Sequence, residues 1–170
     1  MAGMIARPPL VVPLAALVAF LALLALVVGD WGPLDRLDLA VSEDLRGYGT
    51  DRPGLIDVLR VATDIAATVP FVIAGVVATL ALLLRRRRPE AYVCAWVTAL
   101  IPVLWGLMHW VLHHPRPADG FVVVHSNGFP SGHTSHAASA ALVAVLLLWP
   151  HLARRGRALL VTAAVALAVF

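Results

Sequence analysis

Four stretches of this chain stay apolar for about as long as a helix needs to cross a bilayer, and a fifth begins in the same way. They are residues 10–28, 61–84, 91–112 and 131–149, with the fifth starting at Ala158. A crossing helix takes roughly 20 residues to span the hydrocarbon core. Composition agrees: 61% of the 170 residues are hydrophobic and the mean hydropathy is +0.87, more apolar surface than a soluble domain of this size keeps from water. The chain therefore reads as all-α, a polytopic membrane helix bundle forming a single domain over residues 1–170. The lone cysteine, Cys94, lies inside an apolar run, so no disulfide framework is available.

Two ends of the pattern need a decision. The first run follows a single basic residue, Arg7, as a signal peptide would. It is longer than a secretory h-region and no small-x-small cleavage site follows, so it reads as an uncleaved helix, with a signal peptide as the alternative. Residues 158–170 are too few to span and carry no polar flank. The fifth helix thus reads as cut short, in a fragment or in a gene shortened before its natural end.

Arginine placement orients the runs. The net charge of +3 rests on arginine alone, with no lysine in the chain, which looks like coding bias and not like a nucleic-acid surface. "RRRR" at residues 85–88 falls between the second and third runs, "ARRGR" at 153–157 between the fourth and fifth, and Arg7 before the first. All three fall on one side, which the positive-inside rule makes the cytoplasm. The connections 29–60 and 113–130 then share the outer side. Within the first of these, Leu34, Leu37, Val41 and Leu45 repeat at helical spacing among Asp35, Asp38, Glu43 and Asp44, the pattern of an amphipathic helix lying in the interface. Asp57, Arg60 and Asp64 follow at three- and four-residue spacing and read as an interfacial ion-pair strip, or as an aid to substrate entry.

Chemistry gathers in two outer clusters. The first is "MHWVLHHPRP", residues 108–117, where His109 and His113 share a helical face and Pro115 is expected to end the helix just after His114. Pro102 is expected to kink the same helix. Arg116, between two prolines, is held on a stiff segment where its guanidinium can bind a phosphate bidentately, or anchor to a lipid headgroup. The second cluster is "NGFPSGHTSHAA", residues 127–138. Ser131 reads as an N-cap or first-turn residue. Gly132, His133, Thr134 and Ser135 then occupy the first turn, where free backbone N–H groups and the helix dipole make an anion site. Gly132 lets a ligand approach the backbone, and His133 can hold or release a proton near neutral pH. Simple helix capping is the bland alternative.

Taken together, Arg116-Pro117 and Pro130-Ser131-Gly132-His133 resemble the type 2 phosphatidic acid phosphatase (PAP2) superfamily of membrane lipid phosphatases. That family's pattern runs Lys-x6-Arg-Pro, then Pro-Ser-Gly-His, then Ser-Arg-x5-His-x3-Asp. The resemblance implies a PAP2-like bundle of six transmembrane helices, of which this chain would hold five. It implies hydrolysis of a lipid phosphate or diphosphate, of phosphatidate or undecaprenyl diphosphate type, through a phosphohistidine. Arg116, Ser131, Gly132 and, at the family's lysine position, His109 would bind phosphate, and His133 would protonate the leaving oxygen. No cofactor or metal is implied; the partners are the lipid substrate and membrane lipids, and not nucleic acid.

The chain departs from the pattern twice. His109 stands where the family has lysine, and an imidazole is a poorer phosphate clamp than an ammonium. The third motif, with its attacking histidine, has no match; His125 and His136 are poor substitutes, and the chain as given is expected to be inactive. Two other readings stay open. One is a degenerate relative that binds anionic lipid without turnover. The other is a metal-binding membrane protein using His109, His113, His133 and His136, near Asp119. The "FVVV" run at residues 121–124 is expected to pack against helices, or to dip into the interface.

Overall fold

The computed structural model describes residues 9–112, 121 and 128–169. Of these, 86% are helical, and no strand occurs among them. In chain order the elements are α1 (Val11–Val28), α2 (Gly32–Thr50), α3 (Pro53–Asp64), α4 (Thr68–Leu84), α5 (Arg88–Val111), α6 (Gly132–Leu148), a 3₁₀ turn (Trp149–His151) and α7 (Arg154–Val169). The helices α1, α5 and α6 with its 3₁₀ extension are long and apolar enough to cross a membrane, and α3 with α4 would make a fourth span if counted as one. The protein is thus an all-helical chain with the helices of a membrane protein. α7, at 16 residues, is about 24 Å long.

The structure corrects the sequence-based boundaries in two places. The apolar run at 61–84 is not one helix: α3 ends at Asp64 and α4 begins at Thr68. Pro70 supplies the physical reason. In a continuous helix its missing N–H would fail the Ala66 carbonyl, and its ring would collide with that same oxygen. The chain instead closes α3 with three bonds of i→i−3 type, Ile65 to Ala62, Ala66 to Thr63 and Ala67 to Asp64. α7 likewise starts at Arg154, so three of its arginines lie inside the helix. Pro102 is contained within α5, whose helix runs on through it to Val111.

The contacts divide the chain into two compact units. One contains α1, α2 and most of α3, together with the described residues His109–Leu112 and Phe121. Here α1 is apolar on every face and buries no residue. α2 is the expected amphipathic helix, and its Leu37, Val41 and Leu45 are exposed. Gly49 is its buried position: a Cβ there would lie 2.8 Å from both Ile56 and Phe121. Phe121, the first residue of "FVVV", therefore packs against α2; residues 122–124 lie outside the described residues. Asp57, Arg60 and Asp64 form no ion pair with one another, consistent with the small gain that exposed charges offer.

The other unit holds α4, α6, α7 and α5 up to Met108. Its core is made of small residues, Ala91, Cys94, Ala137 and Ala141, with Phe71. α4 and α5 come into close contact at Gly75, whose missing side chain makes room for Thr98. Cys94 Sγ donates to the Gly75 carbonyl at 3.6 Å, and Thr98 Oγ1 donates to the Cys94 carbonyl at 2.7 Å. Trp105 of α5 meets Pro130 before α6, whereas Arg87 before α5 meets His151 after α6, so these two helices run antiparallel. That pairing also brings the arginines of 85–88 and those of 154–157 to one end of the unit.

Both α1 and α4 finish with a Schellman motif whose left-handed residue is not glycine. After α4, Arg86 takes φ 56°, and the N–H groups of Arg86 and Arg87 reach back to the carbonyls of Leu83 and Leu82. After α1, Asp30 does the same at φ 46°.

Candidate functional site

The site is built on the first turn of α6. Ser131 has extended backbone angles and is the N-cap, as its position suggests; its Oγ accepts the Thr134 N–H at 3.4 Å. Its carbonyl starts the helix by accepting from the Ser135 N–H at 3.1 Å and also accepts from Ser135 Oγ at 2.7 Å. The N–H groups of Gly132 and His133 have no acceptor among the described residues. Two open amides at the positive end of a 17-residue helix are an anion-binding arrangement. The cap does not exhaust Ser131, because a hydroxyl that accepts one bond still has its own proton to donate.

Trp105 stands behind this turn, and the sequence reading missed it. Its Nε1–H donates to the Pro130 carbonyl at 3.2 Å, fixing the approach to the helix. A Cβ at residue 132 would lie 2.9 Å from the indole Cε2, so glycine is required there by the packing of an aromatic ring. No pattern in the sequence links positions 105 and 132, since only the antiparallel pairing of α5 and α6 brings them together.

One turn further on, His136 is 1% exposed. Its ring packs on Phe71 with centroids 4.8 Å apart and lies 6.1 Å from the Trp105 ring. The Ala66 carbonyl faces it without reaching hydrogen-bond geometry, and neither ring nitrogen has a hydrogen-bond partner among the described residues. His133, three residues earlier and half-buried, is close enough to interact with it electrostatically.

The remaining candidates are less complete. His109 occupies the last turn of α5 and is half-buried. Arg116, His113, His114, Asp119 and His125 lie outside the described residues, as does Pro115, whose expected helix stop after His114 is preceded by the end of α5 at Val111. Among the described residues no three or more His, Cys, Asp or Glu side chains gather closely enough to hold a metal ion. An apolar cavity of about 390 Å³ opens between α4 and α5, lined by residues that include Val72, Val76, Thr79, Ala95 and Pro102. It offers shape but no group that can move a proton.

The opposite end of the same unit carries a different polar cluster. Glu90 is completely buried in the first turn of α5. Its Oε1 pairs with Arg87 through Nε and Nη2, both at 3.1 Å, and Arg87 Nη2 lies 2.9 Å from His151 Nε2. At the α6–α7 corner Arg157 Nε donates to the Trp149 carbonyl at 3.1 Å, with its guanidinium 5.2 Å from the Trp149 ring centre. No protein-family model, curated protein or solved structure matches the chain.

Proposed function

We propose that this protein acts on a lipid phosphate or diphosphate at the membrane surface, as a PAP2-like phosphatase whose phosphate site is the first turn of α6. The observation that carries this reading is the open mouth of that helix: a capped Ser131, two amide N–H groups without acceptors among the described residues, and a half-buried imidazole beside them. A phosphate there would accept from the Gly132 and His133 amides and from the Ser131 hydroxyl. The family resemblance gives Arg116 and His109 phosphate-binding roles as well. His133 would give its proton to the departing oxygen. This suits the chemistry, because phosphoryl transfer depends mainly on neutralising and placing anionic oxygens. The lipid tail would stay in the bilayer while its phosphate meets the polar turn.

Sidedness follows in the same proposal. The two arginine clusters that share one end of the α4–α7 unit would face the cytoplasm, and the α6 mouth at the other end would face outward.

The second reading, an anionic-lipid binder without turnover, is favoured by a specific observation. His109 stands where the family pattern has lysine, and an imidazole is a poorer phosphate clamp than an ammonium. One experiment separates the two. The full chain in lipid nanodiscs is titrated with orthophosphate, followed by ³¹P NMR, and then assayed for phosphate release from phosphatidate and undecaprenyl diphosphate with EDTA present. Saturable binding that His133→Ala and Arg116→Ala weaken supports the site, and release that His133→Ala abolishes supports turnover at it. Sustained release would remove the second reading, and no saturable binding of phosphate would overturn the first.

A further inference from the structure

His136 is a buried imidazole that the proposed chemistry leaves unused. Burying a polar ring without hydrogen bonds costs free energy, so its two bare nitrogens call for a physical explanation. Helical side chains lean toward the N-terminus, over the residues three and four positions earlier. His136 therefore leans toward Gly132 and His133, beneath the same Trp105 ring that fills the space beside Gly132. Phe71 closes the other side. The titratable group facing it is His133 on its own helix; Phe71, Trp105 and Ala66 bring no charge.

A neutral imidazole has one N–H and one lone pair, and what the first binds decides where the second points. The Ala66 carbonyl is the acceptor at hand. It sits in the break between α3 and α4, and Pro70 has no N–H to occupy it. We propose that His136 is a positioning residue for His133. Its N–H turns to the Ala66 carbonyl, and its remaining lone pair accepts the N–H of His133, fixing that ring in one tautomer and orientation. This is the arrangement of a proton-handling group oriented by a neighbour, with a neutral ring in place of the usual carboxylate. The inference rests on the reading of His133 as the proton donor.

The test uses the full chain in nanodiscs with ¹⁵N-labelled histidine, where long-range ¹H–¹⁵N correlations report the tautomer of each ring. In the unmodified protein His133 and His136 should each show one tautomer; a fast-exchanging mixture at His136 would overturn the proposal without any variant being made. His136→Phe fills the slot beside Phe71 and Trp105 but removes both nitrogens. It should release His133 into a tautomer mixture and weaken orthophosphate binding roughly three- to tenfold, about what one orienting hydrogen bond contributes. His136→Gln, which keeps a donor and an acceptor, should recover part of the loss. A filler role alone would leave the His133 signal unchanged in His136→Phe, and that result sinks the idea. Orthophosphate separates the two readings: if His136→Phe frees His133 but phosphate perturbs neither ring, the positioning role stands and the phosphate site falls.

Discussion

The two ends of the α4–α7 unit solve the same problem in opposite ways. At the arginine end a carboxylate is completely buried with one oxygen unpartnered among the described residues, yet a guanidinium pairs with its other oxygen and the N-terminus of α5 lies beneath it. At the α6 mouth an imidazole is buried as deeply, but its neighbours are aromatic rings and a carbonyl, and its nitrogens bond to nothing among the described residues. The contrast separates structure from chemistry. Where the chain answers a buried charge with its own opposite charge, the group ties helices together. Where a buried ring and first-turn amides have no partner among the described residues, the proposed phosphate site is placed.

Four changes would test how far that contrast holds. The largest effect is expected from Arg87→Ala, which strands Glu90 without its counter-charge and should lower stability by about 3 kcal/mol, read by thermal unfolding in detergent. Glu90→Gln should cost clearly less, and equal losses would mean that the pair is not what holds this end. In any form of the protein that turns lipid phosphate over, His133→Ala should slow release at least about a hundredfold, close to 2.7 kcal/mol of barrier. An unchanged rate would move the chemistry away from the α6 mouth.

Gly132→Ala should come next. Its Cβ would press on a rigid indole at 2.9 Å, costing roughly 1–3 kcal/mol and shifting the Trp105 signal in ¹⁹F NMR of fluorotryptophan-labelled protein. An undisturbed Trp105 would show that the glycine serves ligand approach alone. The smallest change is Arg86→Gly, expected to raise stability by about 1 kcal/mol because glycine takes the left-handed conformation without strain. A loss there would mean that the Arg86 side chain contributes more than its backbone costs.

Much of this was legible in advance wherever the cause was local. Apolar length foretold α1, α5 and α6, and a serine before Gly-His foretold the cap on α6. The periodic leucines of 34–45 foretold α2. The break at 65–67 was missed even though its cause, Pro70, is written in the chain, because overall hydropathy masked a proline near the start of the run. Glu90 follows four arginines with no pattern that marks it, and only the structure reveals its burial and its contact with Arg87. Trp105 and Phe71 carry no signal of their own in the sequence. They became walls of a site only when helices distant in sequence were paired, and pairing of that kind leaves no periodic signature.

Pro70 carries a consequence for anyone who would vary this protein. Pro70 disfavours a single continuous helix over 61–84 and brings no N–H that such a helix would direct at the Ala66 carbonyl, so under the proposed role of His136 a residue that rejoined α3 and α4 would also occupy that carbonyl. A second substitution elsewhere cannot easily restore both. Bending could be recovered by a proline or glycine nearby, but the carbonyl left open would then belong to another residue, facing somewhere other than His136. Under the proposed role of His136, the bend and the open carbonyl both depend on that one position.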